Sequence, residues 1–501
     1  MGTKLWRRWL AGILGLSAMA WGCARPGEWV RNGLKVGPEY CPPPAPVASK
    51  WIDEKRVGTQ APDDSHWWVV FDDPVLASLV EGAYRQNLSL GEAAFRIAQA
   101  QAKRGIAVGG LFPQQQQAFA DYSRNAVSTS VANRQLTDQR FYDLYDGGFN
   151  LTWELDLWGR LRRAVEAADA ELNVSIEDYD ATLVLLVANV AESYVHARTL
   201  QAQLAYARAN AVLQKKTYDL VKFQFDNGKV SDLDVEQAAT NLAQTEALIP
   251  PLEIALRQSC NRLCTLLGMP TEDLAERLGS RPIPAAPATV AAGIPGDLLR
   301  RRPDVRRAER QLAAQCAQIG IATAQLYPQI AITGTIGLES SRLAAIGQAE
   351  SLAGDIGPSL RWDILNYGRN LNRIRLEDAR FQELVLAYQN AVLTANEEVE
   401  NGLVAFLQSQ AQIEAQARAV KASKKSVELV LVQLDEGTAD INRVYVLEKD
   451  LVQQENQFAQ AQGNVALGLI QVYRALGGGW QIRLANGPDA SPLVQEGGLE
   501  P

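Results

Sequence analysis

Trp153-Glu-Leu-Asp-Leu-Trp-Gly-Arg160 returns, with conservative changes, as Trp362-Asp-Ile-Leu-Asn-Tyr-Gly-Arg369, an offset of 209 (362 minus 153). The same offset carries Ala170 to Ala379, Tyr179 to Tyr388, Val190 to Val399, Gly228 to Gly437, Val235 to Val444 and Leu267-Gly268 to Leu476-Gly477. One register held over so long a stretch marks a tandem duplication. Upstream, Leu111-Phe-Pro-Gln114 matches Leu326-Tyr-Pro-Gln329 at an offset of 215, so the segment between is six residues shorter in the second copy.

Downstream of each quoted stretch the residues demand a long helix. The 68 residues between Gly159 and Gly228 contain no Gly or Pro, and the 68 between Gly368 and Gly437 contain only Gly402. Ala, Leu, Glu, Gln and Arg, all strong helix formers, are abundant in both. At 1.5 Å per residue each helix runs roughly 100 Å. The return helices, about Asp232–Leu267 and Ile441–Leu476, are half as long. A second segment is therefore expected behind each: Leu298–Leu326 behind the first and Leu76–Leu111 behind the second. Pro250-Pro251 predicts a break in the first return helix only, because Ala459 and Gln460 hold the equivalent places in the second.

Upstream of each long helix the period changes. In Phe149-Asn-Leu-Thr-Trp-Glu-Leu155 every second residue is apolar, and Ile330–Leu338 and Ile356–Ile364 alternate likewise, with Gln115–Ser123 a weaker candidate. Such alternation suits a membrane strand with an apolar outside and a polar lumen. Phe149, Leu151, Trp153 and Leu155 would face lipid, and Asn150, Thr152 and Glu154 water. Four strands cannot close a membrane barrel, which needs about eight, so a barrel shared between subunits is expected.

Composition narrows the function. The chain has 501 residues, 49 basic against 57 acidic, for a net charge of −8, which argues against nucleic acid as a partner. Beyond the leader the longest strict apolar run, Leu183–Ala188, has six residues, far short of the ~20 a spanning helix needs. The two histidines lie far apart and the five cysteines include no CxxC. A zinc site, another cofactor or a disulfide framework is not expected. Neither GxxxxGK[ST] nor GxSxG occurs, and no constellation supports an enzyme.

The first residues read as an export signal: Lys4, Arg7 and Arg8 precede the apolar stretch Leu10–Met19. Cleavage after Ala18-Met19-Ala20 would free Trp21. Cleavage after Gly22 would make Cys23 a lipidated N-terminus. Ala24–Ser65 carries seven prolines and no helical period, as in an extended arm. The chain thus divides into a signal over 1–22, an extended arm over 23–70, a first repeat over 71–270, a linker over 271–296, a second repeat over 297–480 and a disordered tail over 481–501.

Val36-Gly-Pro-Glu-Tyr40, Trp67-Trp68-x-x-Phe71-x-Asp73-Pro74, Arg301-Arg-Pro-Asp-Val305, Tyr473-Arg-Ala-Leu-Gly-Gly-Gly-Trp480 and the stretch quoted first together resemble the outer membrane factor family. These are the TolC-like and NodT-type efflux proteins of Gram-negative bacteria, many of them lipoproteins. The resemblance covers about Val36 to Trp480. It implies a mainly α fold with a membrane β-barrel: a homotrimer with a twelve-stranded outer-membrane barrel continued by a twelve-helix periplasmic tunnel. It also implies a periplasmic adaptor and an inner-membrane transporter as partners, with outer-membrane lipid around the barrel. Cys41, directly after Tyr40, departs from the family pattern.

The function expected is that of a passive outer-membrane exit channel expelling small molecules. The alternatives are the exit duct of a type I protein-secretion system or, in a different class, a periplasmic coiled-coil scaffold. The candidate site residues follow. Cys23 is the lipid anchor. Gly228, Ser231, Asp232, Asp234, Gly437, Asp440 and Arg443 form the hairpin tips, which the resemblance places at the closed periplasmic end where the adaptor docks. Gly228 and Gly437 suit helix C-caps, Ser231 and Asp440 N-caps, and Asp232 and Asp234 a helix start. Asp234 and Arg443 hold equivalent places with opposite charge and are expected to attract one another. Gly159, Arg160, Gly368 and Arg369 are the strand-to-helix corners. Cys260, Cys264 and Cys316 read as small buried helix-interface residues, and His196 as packed or solvated.

Overall fold

The computed structural model describes residues 26–53, 56, 58, 65–128, 130, 140–436 and 438–485. They fall into two compact units. One gathers the described part of 1–44 with Ala98–Val174 and Ala308–Ala387; the other gathers Ala45–Ile97, Ser175–Arg307 and the described residues from Tyr388 onward. Cys23 and Gly437 lie outside the described residues.

The longer helices are α1 (Pro74–Gln86), α2 (Leu88–Gly109), α3 (Arg160–Asp226), α4 (Asp232–Glu246), α5 (Ile249–Leu266), α6 (Pro303–Ala324), α7 (Arg369–Asp435) and α8 (Ile441–Ala475). Helices α3 and α7 are each unbroken over 67 residues, as the sequence predicts. Their buried positions explain how so long a helix is held. On α7 they run Tyr388, Val392, Ala395, Val399, Gly402, Phe406, steps of four and three that keep one seam against a partner helix. Gly402 belongs to that seam: a Cβ there would stand 3.2 Å from Val472 of α8, so the glycine permits close approach. The first return helix breaks at Ala247-Leu248, just before Pro250-Pro251, whereas α8 continues for 35 residues.

The second unit corrects the expected stacking. Asn87 Nδ2 donates to Leu266 O at 2.8 Å, so the start of α2 meets the end of α5 within the first copy. Arg302 Nη1 donates to Ala475 O at 2.8 Å, so the start of α6 meets the end of α8 within the second. These are equivalent pairs, since 87 plus 215 is 302 and 266 plus 209 is 475. Within that unit the segment expected over Leu298–Leu326 therefore meets the end of the second return helix, and the one expected over Leu76–Leu111 the end of the first, the reverse of the sequence expectation. The reason is local: a helix C-terminus leaves carbonyls without partners, and a donor from the same copy meets them. Leu76–Leu111 is also two helices, because Asn87 accepts from Leu90 N at 2.9 Å and starts α2 afresh.

In the first unit the strands β1 (Gln115–Ala126), β2 (Phe141–Leu155), β3 (Gln329–Ser340) and β4 (Leu352–Arg361) form an antiparallel sheet in the order β1-β2-β3-β4. Gln117 pairs with Asn150, Asn150 with Thr335 and Thr335 with Asp355, giving a polar row across one face. One step along, Ala118, Phe149, Ile336 and Gly354 form a row on the other face, and Leu155, Ile330 and Leu360 another. The expected split of Phe149, Leu151, Trp153 and Leu155 from Asn150, Thr152 and Glu154 is thus the split between the faces. The fourth strand is shifted: it starts at Leu352 and ends at Arg361, four residues earlier than the pattern suggested at its start. Trp362 lies just past the end of β4, and its indole donates to Leu326 O at 3.0 Å, as that of Trp153, which stays within β2, does to Leu111 O at 3.2 Å.

The flanking segments are more structured than expected. The extended arm contains a short helix, Pro26–Arg31, and the tail expected to be disordered from 481 opens with the helical turn Ile482–Ala485. Gly58 of the arm donates to Val290 O at 2.9 Å and accepts from Ala292 N at 3.0 Å, pinning arm to linker. Among the described residues no helix is long and apolar enough to cross a membrane.

Candidate functional site

At the first tip α3 ends on Gly228, whose φ of +70° lies in the left-handed region that favours glycine. Lys229 N donates back to Gln224 O at 2.9 Å and closes the helix end. Ser231 caps α4, and Asp234 completes a capping box: its Oδ2 accepts from Ser231 N at 2.9 Å and from Ser231 Oγ at 2.8 Å. Asp232 is exposed. At the second tip Asp440 Oδ1 accepts from Asn442 N at 2.9 Å and caps α8. Arg443 is exposed.

What ties the two hairpins together is a residue the sequence reading passed over. Tyr445 Oη donates to the backbone oxygen of Asp234 at 2.7 Å, so Asp234 is held through its main chain while its carboxylate serves its own helix. Burial, with the nearby Asp234 carboxylate, pushes the Tyr445 phenol up and keeps it a donor. Around it Val221, Ala238, Val430, Leu434, Ile441 and Val444 form an apolar cluster. Val221 and Val430 are themselves repeat equivalents, 209 apart.

Further along α8 two carboxylates are buried. Glu448, 1% exposed, accepts from Thr217 Oγ1 at 2.6 Å and Asn241 Nδ2 at 3.1 Å, both neutral. Burial raises its pKa, outweighing those two hydrogen bonds. Glu455, two turns on, accepts from Asn210 and pairs with Lys424 at 2.8 Å. A period of seven places both on the seam, and that spacing was the signal available in the sequence.

The corners share a backbone, since Gly159 and Gly368 both have φ of +79°. Around Gly159 the polar groups interlock. Asp156 accepts from Leu161 N at 3.0 Å and Arg162 N at 2.9 Å, and Arg160 binds Glu154 through two nitrogens at 3.0 and 2.7 Å. Two such bonds from one guanidinium fix its plane as well as its position. The arm lies across this corner: Val36 N donates to Trp158 O at 3.0 Å, and Arg162 Nη2 to Leu34 O at 2.9 Å. Trp158 is enclosed by Tyr327, stacked at 4.6 Å, and by Trp29 at 5.7 Å. At the second corner Gly368 N donates to Asn366 Oδ1 at 3.1 Å, and Arg369 Nε reaches only Asn366 O, at 3.3 Å.

The Arg301–Val305 and Tyr473–Trp480 stretches of the second unit lie in a network of ties. Asp180, almost fully buried on α3, accepts from Arg483 at 2.7 and 3.0 Å and from Arg306 at 3.2 Å. Arg306 lies over the Trp480 ring at 4.2 Å, joining the Arg301–Val305 and Tyr473–Trp480 neighbourhoods. Cys260, Cys264 and Cys316 are buried, burial pushes the Cys260 and Cys316 thiols up, and Cys41 is exposed. His196 is exposed. The arrangement binds helices and strands to one another and leaves a two-faced sheet, which suits a conduit.

Comparison with known proteins decides the family. The model of the outer membrane efflux protein matches residues 79–269 and 294–478, one block in each repeat. The chain belongs to that family. Nodulation protein T of Rhizobium leguminosarum bv. trifolii is 32% identical over 442 residues, covering 87% of this chain and 91% of its own. The probable outer membrane lipoprotein SilC of Salmonella typhimurium is 28% identical over 451 residues, covering 89% and 96%. The solved outer-membrane channel OprN superposes with a TM-score of 0.83 at 33% identity, covering 89% of this chain and 99% of that one. The efflux protein thus has a TolC-like outer-membrane channel fold, a long helical body with a β domain.

Proposed function

We propose that the chain is one protomer of a homotrimeric, passive exit channel that expels small molecules across the outer membrane of a Gram-negative cell. The observation that carries this reading is the sheet: four strands with one polar and one apolar face, whose outer members β1 and β4 pair with no other strand among the described residues. Three copies would supply enough strands for a closed barrel, with the rows through Asn150 and Thr335 lining water. The long helices would continue the duct into the periplasm. A periplasmic adaptor would dock at the tips formed by Gly228, Ser231, Asp232, Asp234, Gly437, Asp440 and Arg443. An inner-membrane transporter would supply the energy, since the sequence carries no nucleotide-binding motif.

Purified protein in planar bilayers tests this. A channel gives discrete conductance steps from a species of three chains by native mass spectrometry; a periplasmic scaffold gives no conductance at any concentration. Cys23 would carry lipid beside the barrel, in keeping with the lipoprotein name of its relative SilC. Mass spectrometry of the mature N-terminus checks it, and an unmodified chain starting at Trp21 would remove the anchor from the proposal.

A further inference from the structure

On the face of the sheet that carries Phe149 and Trp153, the paired residues form successive rows. Leu155, Ile330 and Leu360 make one row, and Trp153, Ile332 and Pro358 the next. The rows through Leu151 and Ile356, through Phe149 and Ile336, and through Gly147, Leu338 and Leu352 follow. No charged residue stands in any of these five rows. The character changes in the row after them, where Tyr122 meets Tyr145 with ring centroids 4.9 Å apart. From Leu155 to Tyr145 is ten residues (155 minus 145). That is ~34 Å of strand, or ~26 Å of height at a tilt of ~40°. The apolar band of an outer-membrane barrel is ~25 Å tall and ends in aromatic girdles. The tyrosine pair therefore marks a boundary of the band. It lies at the far end of β2 from α3, which in the channel reading is the outer side.

Past that boundary come arginines. Arg124 is paired in register with Asp143, and Arg342 continues the same row two residues beyond Ser340, the partner of Tyr145. Arg140 holds its guanidinium over the Phe141 ring, 5.3 Å from the centroid. Its carbonyl accepts from Val127 N at 2.8 Å, which keeps it beside the end of β1. All three arginines are exposed. The Asp143 oxygen nearest Arg124 is 3.9 Å away and already accepts from Tyr122 Oη at 3.1 Å. Glu350 lies in the turn that leads into β4. Three guanidinium groups against two carboxylates leave this rim positive. The opposite face at this end has the other sign, for Asp121 pairs with Asp146 and Asp146 with Glu339. Solvation alone requires no such division, since water reaches both sides of a rim.

We propose that Arg124, Arg140 and Arg342 bind the phosphate groups of a phosphorylated glycolipid in the outer leaflet, the lipid A of lipopolysaccharide. This rests on the outer-membrane channel reading and deepens it by naming the lipid that meets the barrel. A guanidinium binds phosphate through two parallel hydrogen bonds, which suits a headgroup carrying two phosphates. The exposed rings of Tyr122 and Phe141 stand where acyl chains give way to headgroups, the depth that aromatic side chains favour. Below them Phe149, Ile336 and Ile356, also exposed, offer the acyl chains an apolar wall. A zwitterionic lipid has a phosphate too, but its ammonium cancels the charge that the arginines meet. Bound in this way, the lipid would fix the height of the barrel in the membrane.

Native mass spectrometry of the full-length channel, extracted in mild detergent and delipidated, tests it. Bisphosphorylated lipid A is titrated beside lipid A lacking both phosphates and beside phosphatidylethanolamine. The bisphosphorylated form should bind about tenfold or more tightly than either of the others, up to one per chain. Arg124→Gln, Arg140→Gln and Arg342→Gln together should abolish that margin while conductance in planar bilayers stays near wild type. Excess inorganic phosphate should leave the lipid bound; full displacement by it would mean an anion site only and overturns the lipid proposal. Three lipids that bind alike, or a triple variant that keeps the margin, also overturn it and leave the channel reading standing. A wild-type protein without conductance overturns both. Should the triple variant fail to assemble, benzoylphenylalanine at Phe141, an aromatic for an aromatic, gives the answer by photo-cross-linking. Attachment to bisphosphorylated lipid A in preference to phosphatidylethanolamine supports the site, and equal attachment overturns it.

Discussion

Gly159 and Gly368 turn the chain from strand to helix with the same φ of +79°, yet one corner is enclosed and the other open. At Gly159 a Cβ would come within 2.6–2.8 Å of Lys35 in the arm, whereas at Gly368 it would find only Asn372 Nδ2, at 3.7 Å. Trp158 is packed between two rings while its equivalent Tyr367 is 92% exposed. Duplication supplied two equal turns, but the chain has only one arm and one neighbouring repeat to cover them. The two equivalent positions thus differ in their surroundings and not in their turn.

The largest expected effect breaks the two corners apart. Gly159→Ala combines left-handed strain, ~1–3 kcal/mol, with displacement of the arm, ~1–3 kcal/mol. Gly368→Ala carries the strain alone. Thermal unfolding should show the first variant destabilised by about twice as much as the second. Equal losses would mean that the arm yields freely and the enclosure has little energetic weight.

A second pair should differ in kind. Gly320→Ala pushes on Arg163 and on Gly37, whose own Cβ would meet the Gly320 backbone at 2.5 Å, so it should cost ~1–3 kcal/mol within one chain. Gly105→Ala should leave the fold intact, or firm α2 by up to ~1 kcal/mol, since an added Cβ there meets nothing within 4 Å. Thermal unfolding of dissociated chains separates the two outcomes. Loss of single-chain stability in both variants would dissolve the distinction.

The hairpins offer a third comparison. Glu448 on the second has Ala239 as its equivalent on the first, so only one seam carries a buried carboxylate held by neutral donors. With its pKa raised by burial, the packed state favours the protonated form. The stability this group permits is therefore complete below the ordinary glutamate pKa, ~4.3 in model peptides, and falls as pH climbs through the raised value. Glu448→Gln should raise the melting temperature at pH 8 and leave it unchanged at pH 4. A gain equal at both pH values would point to packing rather than ionisation.

The repeat, the long helices and their ends were legible because each rests on local chemistry: runs without Gly or Pro, Ser231 and Asp440 as caps, Gly228 as a helix stop. The faces of β2 were legible for the same reason, from strict alternation. What escaped was decided by partners distant in sequence. The order of stacking depends on Asn87 meeting Leu266 and Arg302 meeting Ala475, and neither pair announces itself by spacing. The end of β4 at Arg361 depends on its pairing with Gln329 of β3, where the ladder stops although alternation alone would have prolonged it. At the tip, charge drew the reading to Arg443, though the bond is made by a phenol to a main-chain oxygen.

That tip gives the last and smallest contrast, between a half-buried neutral contact and an exposed charge. Tyr445→Phe removes one hydrogen bond, worth ~0.5–1.5 kcal/mol net, and leaves the ring in its apolar surroundings. If separation of the hairpins opens the channel, this loss raises the open population about two- to tenfold per chain. Arg443→Ala alters an exposed side chain, and such changes lie within ~0.5 kcal/mol, because water and salt already screen the charge. Single-channel recordings in planar bilayers should therefore show more frequent opening for Tyr445→Phe and near wild-type gating for Arg443→Ala. The reverse order would mean that Arg443 meets a carboxylate of a neighbouring copy, Asp234 being the one of equivalent place. In that case Asp234→Ala would open the channel as readily as Arg443→Ala, and adding it to Arg443→Ala would change nothing further. Independent effects of the two charges would return the tip to Tyr445.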